Sequence, residues 1–222
     1  RRYNALNNAE LTISDPRLGT AATDNSTIEI SNINIEENSQ RIPIPYVIPP
    51  GISRQIDYTN NNLAIQQNEQ ALSLEIKQLK EGYGRAVFKS ANYDFRGYGR
   101  IEMYVHAEGP MLADDDVNVF LRVGTDDKYH YYEYEQPLAI TIPGSTSPEA
   151  IWPEQNNLKI QLNYFREAKL ARQNTNFNGL PWPIDRPFEY LIAGHKITVL
   201  GNPDLTQIKC FMIGIKNPLK DA

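Results

Sequence analysis

Apolar and polar residues alternate along much of the chain. Leu72, Leu74 and Ile76 face one way while Ser73, Glu75 and Lys77 face the other, the two-residue period of a strand with one wet face. Similar runs recur at Ala86 to Phe88; at Ile101, Met103 and Val105; at Val117, Val119, Leu121 and Val123; from Tyr129 to Glu135; and at Leu138, Ile140 and Ile142. Leu158, Ile160 and Leu162 follow, then Ile197 with Val199, and last Ile208 to Ile215. Strands at this spacing, punctuated by Gly, Pro and Asp, predict an all-β fold, an antiparallel β-sandwich of jelly-roll type. Residues 163 to 173 lack Gly and Pro and predict one short helix.

The first part of the chain is less regular. Residues 1 to 27 are rich in Asn, Asp, Ser and Thr and read as an irregular lead-in. Ile28 and Ile30 share one phase and Ile33 and Ile35 the other, which predicts a bulge near Ser31 and Asn32 or two short strands meeting there. Pro43, Pro45, Pro49 and Pro50 remove ladder donors and make 39 to 51 an extended connector or an edge. The expected division is 1–47 as a lead-in with a short strand or two, and 48–222 as the sandwich.

One hairpin can be read more closely. Gly124 to Lys128 is a polar turn between two strong strands, and placing Leu121 opposite Tyr132 and Val119 opposite Tyr134 turns those rings inward. Arg122, Glu133 and Glu135 then share the other face. Each large side chain so buried contributes about 1.5 to 3 kcal/mol.

Composition narrows the function. The 222 residues suit one generous domain or two small ones, and such a chain buries roughly 70% of its unfolded surface. Net charge is -5, so no overall field draws the chain to nucleic acid or to anionic lipid. The single cysteine, Cys210, excludes a disulfide within the chain and a zinc site built on two or more thiolates. No apolar run is long enough for a membrane-spanning helix, and the first eight residues have no apolar signal-peptide core, so the chain reads as a soluble piece.

Candidate chemistry is sparse. Gly-Tyr-Gly-Arg occurs at 82 to 85 and again at 97 to 100, but each copy leads into a strand rather than opening a helix, so both read as turns and not as phosphate cradles. Glu133 and Glu135 share a strand face about 6 to 7 Å apart, near the carboxylate spacing of an inverting glycosidase. Arg122, diagonal to Glu133 in the expected register, offers the plainer alternative of a cross-strand ion pair. Asp114, Asp115 and Asp116 with Asp126 and Asp127 form acidic turns that are ordinarily solvated, with calcium as the one ligand they suit. No other cofactor is expected. Tyr129, Tyr131, Trp152 and Trp182 are the candidate contact surface, since flat amphipathic rings serve both protein and sugar recognition. Strand preference for tyrosine also accounts for much of the Tyr129 to Tyr134 run. His106, His130 and His195 are scattered singles, and no nucleophile-elbow, zincin or P-loop motif occurs.

Several blocks are distinctive in combination: Ile-Pro-Pro-Gly-Ile-Ser-Arg at 48 to 54, Asn-Glu-Gln-Ala-Leu at 68 to 72 and Gly-Arg-Ala-Val-Phe-Lys at 84 to 89. They continue with Tyr-Gly-Arg-Ile-Glu-Met-Tyr-Val-His-Ala-Glu at 98 to 108, Phe-Leu-Arg-Val-Gly-Thr-Asp at 120 to 126 and Tyr-Tyr-Glu-Tyr-Glu at 131 to 135. Ile-Trp-Pro-Glu at 151 to 154, Val-Leu-Gly-Asn-Pro-Asp-Leu at 199 to 205 and Met-Ile-Gly-Ile-Lys-Asn-Pro at 212 to 218 complete the set. In these blocks the chain from 48 to 221 resembles a segment of the SprA/Sov family, giant outer-membrane translocons of the type IX secretion system and gliding motility in Bacteroidetes. The resemblance implies a soluble insertion of a much longer barrel protein that moves folded cargo to the cell surface without chemistry on it. The partners it implies are other segments of the same chain, accessory subunits of the translocon or secreted cargo. The expected location is the outer membrane, extracellular-facing, with a periplasmic or lumenal position as the alternative. The expected function is therefore a non-catalytic structural or contact domain. Its rival is a carbohydrate-binding module with an aromatic platform.

Overall fold

The computed structural model describes residues 25–58 and 64–220, so most of the expected lead-in, residues 1–24, lies outside the described residues. In chain order the elements are β1 (Thr27–Asn34), α1 (Ile35–Asn38), β2 (Ile56–Tyr58), β3 (Ala64–Gln66), β4 (Gln70–Lys77), β5 (Gly84–Tyr93) and β6 (Arg100–Met103). Then come β7 (Asn118–Gly124), β8 (Tyr131–Pro137), α2 (Pro148–Ile151), β9 (Leu158–Gln161) and α3 (Leu162–Gln173). The last are β10 (Asn176–Phe177), β11 (Leu180–Pro181), β12 (Phe188–Ile192), β13 (His195–Leu200) and β14 (Ile208–Lys216). The chain is mostly β, as expected, and every strand pair is antiparallel. Among the described residues one six-stranded sheet, ordered β12-β13-β8-β7-β14-β5, is accompanied by four two-stranded ones, and none of them is closed.

Alternation divides the large sheet into two faces. Val119, Leu121, Val123, Tyr132, Tyr134, Ile197 and Val199 form one face and pack against Leu158 and Ile160 of β9 and Leu162, Phe165 and Ala168 of α3. The helix runs one residue further toward the N-terminus than expected, and its inward side chains recur at helical spacing. Phe165 stacks on Tyr132 with centroids 5.0 Å apart, which ties the helix to the centre of the sheet. The opposite face carries Phe120, Met212, Ala86 and Cys210, and it too is buried.

Three local expectations are corrected. β1 pairs with β4 in one continuous register, without a bulge at Ser31 and Asn32. Ile33 and Ile35 change phase because they turn to a separate cluster of Ile44, Tyr46, Ile151 and Trp152. Leu138, Ile140 and Ile142 form no strand, because their backbone donors are scattered: Leu138 N–H goes to Val117 O, Ile140 N–H to Asp114 Oδ1 and Thr141 N–H to Ala107 O. The β7–β8 hairpin pairs Leu121 with Tyr134 and Val123 with Tyr132, two residues from the expected register, so its loop runs from 125 to 130. A shift of two keeps every side chain on its face, which is why the inward set is as expected although the partners differ.

β12 carries no strong sequence signal. Its hairpin to β13 turns on Ala193 and Gly194, both at positive φ (51° and 81°), the backbone of a two-residue hairpin turn. Both copies of Gly-Tyr-Gly-Arg lead into strands, β5 and β6, as expected for turns.

Candidate functional site

The two glutamates that raised a glycosidase reading lie at the centre of a buried layer of charge. Arg122, Glu133 and Glu135 are 4%, 3% and 3% exposed. Arg122 donates to Glu133 Oε2 from Nε (2.9 Å) and Nη2 (2.7 Å), and from Nη1 to the Asp127 carbonyl (2.6 Å). Lys216, from the neighbouring β14, bridges the two carboxylates, touching Glu133 Oε1 and donating to Glu135 Oε2 at 2.8 Å. Lys196 reaches Glu135 Oε2 at 3.0 Å, and Asn118 Nδ2 donates to Glu135 Oε1 at 2.8 Å. The Arg122 guanidinium also covers the Tyr131 ring at 3.7 Å.

Electrostatics follows from this packing. Burial alone pushes the Glu133 carboxyl up, but Lys216 and Arg122 beside it hold it down, at about 2. Glu135 is lowered against the same burial by Lys216 and Lys196. A general acid needs a raised pKa and an open path to its substrate. Neither carboxyl meets that requirement, and the feature behind the glycosidase reading becomes a structural ion network.

The acidic turns are similarly engaged. Asp126 Oδ1 accepts from the backbone N–H of Lys128 (2.9 Å), Tyr129 (2.5 Å) and His130 (3.1 Å), which shapes the 125–130 loop. Asp114 Oδ1 accepts from Ile140 N–H, and Asp116 accepts from Ala113 N–H and from Lys220 Nζ. Among the described residues no group of three or more His, Cys, Asp or Glu side chains is arranged to hold a metal ion.

The four aromatic side chains singled out from the sequence are not brought to one surface. Tyr129 is 70% exposed at the tip of the 125–130 loop. Tyr131 lies under Arg122, only 7% exposed. Trp152 is equally buried, and its Nε1–H donates to the Val47 carbonyl at 2.8 Å, where Tyr46, Tyr104 and His106 meet its edges. Trp182 is half-buried between Phe177 and Phe188 at 5.3 and 5.2 Å, with Arg186 over Phe177. Tyr129 and Trp182 are therefore the accessible pair. Their loops meet indirectly at Gly201, whose N–H donates to Ile184 O and whose Cα faces the Tyr129 carbonyl.

The histidines are equally dispersed. His106 Nδ1 lies 2.8 Å from Ile151 O, and its Nε2 is 3.4 Å from Glu108, which also pairs with Arg41. This chain of contacts fastens residues 41 to 47 to the Trp152 cluster. His130 Nδ1 accepts from Asn202 N–H at 2.9 Å, and His195 rests beside Tyr134. The functional reading of the sequence missed Lys216 and Lys196, because nothing local marks a lysine 83 residues away as the partner of Glu133.

Among the described residues no helix is long and apolar enough to cross a membrane. No curated protein matches the chain. The family SprA_N, described as a motility related/secretion protein, matches over residues 3–222. That span takes in nearly the whole sequence, from the segment ahead of β1 to the residues beyond β14, and the chain belongs to the SprA_N family of motility- and secretion-related proteins.

Proposed function

We propose that the chain is a non-catalytic contact domain of a very large outer-membrane export channel of the type IX secretion and gliding apparatus. The observation that carries this reading is the family match over 3–222, which ties the chain to secretion and motility. Its mechanism is steric and adhesive. A sheet with both faces buried is a stiff support, and the loops around it hold accessible rings such as Tyr129 and Trp182 where a neighbour can use them. The jelly-roll form of the sandwich belongs to the same proposal and is supported by the β6–β9 ribbon sharing a core with the large sheet. So does the division at residue 47. The partners are other segments of the parent chain, accessory subunits or cargo, and the domain faces the outside of the cell.

The test is deletion of this segment from the full-length protein. Loss of secretion together with loss of partner recovery supports the proposal, and secretion with partner recovery intact removes it. The carbohydrate-binding alternative rests on fewer rings than expected, since Tyr131 and Trp152 are interior side chains. Glycan binding that disappears on Trp182→Ala would restore it.

A further inference from the structure

The face of the large sheet that carries Arg122, Glu133 and Glu135 is dry, yet the described elements put no second layer over it. Ala86, Phe120 and Met212 on that face are 0% exposed, and Cys210 is 7% exposed. The apolar cluster they form with half-buried Phe88 draws every member from β5, β7 and β14, strands of the sheet itself. Arg122, Glu133 and Glu135, in register beside them, are buried as deeply. Side chains on a bare sheet face stand roughly perpendicular to it and meet water, so a face this dry lies under a cover. β9 and α3 pack on the opposite face. The β1–β4 ribbon turns Ile33 and Ala71 to the Trp152 cluster. The 125–130 loop reaches one corner, where the Asp127 carbonyl accepts from Arg122.

This burial is that of a single chain, which assigns the cover to the same polypeptide rather than to a neighbour. Three stretches lie outside the described residues: 1–24, 59–63 and 221–222. Residues 59–63 close the β2–β3 hairpin, whose ends Tyr58 and Ala64 are paired. Residues 221–222 fall short of the roughly 14 Å that separates β5 from β8 at about 4.8 Å per strand spacing. Residues 1–24 are long enough, since an extended chain gains about 3.3 Å per residue. They also arrive at the right place. Ser26 is tied to the edge strand of the sheet, because Arg85 of β5 donates from Nε to its hydroxyl (2.6 Å) and from Nη2 to its carbonyl (3.0 Å). Leu6, Leu11, Ile13 and Leu18 give the segment aliphatic side chains for an apolar strip.

We infer that residues 1–24 dock across the β5–β14–β7–β8 face of the sheet, with their aliphatic side chains against Phe88, Phe120 and Met212, and seal the Arg122–Glu133–Lys216 ion network from water. The network is then an interior layer between the sheet and its own leading segment. This face is closed to any neighbour while the segment stays on it, which leaves the loops and the opposite end of the chain for contacts. The inference stands independently of the reading of the chain as part of an export channel.

The test places the photo-reactive residue p-benzoylphenylalanine at Leu11, or at Ile13, of the 222-residue chain and maps the products by mass spectrometry. Intramolecular cross-links to Phe88, Phe120, Met212 or Lys216 are expected. Cross-links to β9 and α3, to the β1–β4 ribbon or to a second copy of the chain overturn the inference, and so does the lack of any intramolecular product. Cys210, the only cysteine, reports the same contact without a probe on the segment. Its labelling by a maleimide is expected to be roughly tenfold faster, or more, in a chain of residues 25–222 than in the 222-residue chain. Adding a peptide of residues 1–24 is expected to restore the slow rate. Equal rates in two chains with the same circular dichroism spectrum overturn the inference. Where the shortened chain does not fold, the cross-links of the 222-residue chain decide by themselves.

Discussion

Arg122 sits directly opposite Glu133 in the β7–β8 ladder and commits two nitrogens, Nε and Nη2, to a single carboxylate oxygen on a buried face of the sheet. The other oxygen of that carboxylate is taken by Lys216 from the adjacent strand β14, so one acid binds three neighbouring strands together. Energetically the network is double-edged. Its charges lose hydration on folding, and their mutual attraction offsets that loss only while every member has its partner.

Removing one partner should therefore be severe. Glu133→Ala leaves the buried Arg122 without its carboxylate and Lys216 with Glu135 alone, and is expected to cost about 3–5 kcal/mol of stability. Replacing Arg122, Glu133 and Lys216 together by apolar residues of similar volume is expected to cost far less. Urea denaturation of the two variants, compared at constant slope, checks both.

The same network sets a pH dependence. The folded-state pKa of Glu133, about 2, lies below its ordinary value of 4.5. The folded chain thus holds this carboxyl ionised where the unfolded chain protonates it. Its contribution is complete above about pH 5 and is lost as the pH falls from there toward 2. Glu108, lowered to about 2 with burial opposed by His106 and Arg41, acts in the same direction. Urea midpoints measured from pH 7 to pH 2.5 are expected to decline through this window, and the decline should be shallower in Glu133→Gln.

Trp152 provides a separate check on the cluster that holds residues 41 to 47. Trp152→Phe keeps an aromatic body but strips the Val47 carbonyl of its donor, and is expected to cost about 1–3 kcal/mol. Intrinsic fluorescence of the parent chain should show a blue-shifted, quencher-protected component that this substitution removes.

Gly201 carries the geometry under Tyr129. Its φ is +66°, and a Cβ at this position would lie 1.9 Å from the Tyr129 carbonyl oxygen. Gly201→Ala is expected to displace the 125–130 loop, lower the melting temperature and increase hydrogen exchange at Thr125, whose N–H donates to His130 O.

Legibility in the sequence tracked how local the determining physics is. The alternation in Val119, Leu121 and Val123 identified β7 and its inward face, and the absence of Gly and Pro over 163 to 173 identified α3. Glu133 and Glu135 were harder. Alternation of apolar with charged residues normally marks one wet face, but here the second face is buried as well, and the lysine that neutralises the pair comes from the end of the chain. The hairpin register escaped for a related reason, since a two-residue slip leaves the facing pattern unchanged. Trp152 was readable as an aromatic of consequence but not as an interior one, because its partners Tyr46 and Val47 lie more than a hundred residues earlier.

The proposal that this chain works by touching other polypeptides is tested most directly by cross-linking mass spectrometry of the full-length protein in intact cells. Cross-links from the exposed Lys128 loop to another polypeptide, or to any part of the full-length protein outside these 222 residues, are the predicted result. Links confined to residues within this segment, under conditions where other proteins of the same cells cross-link to their neighbours, would contradict it.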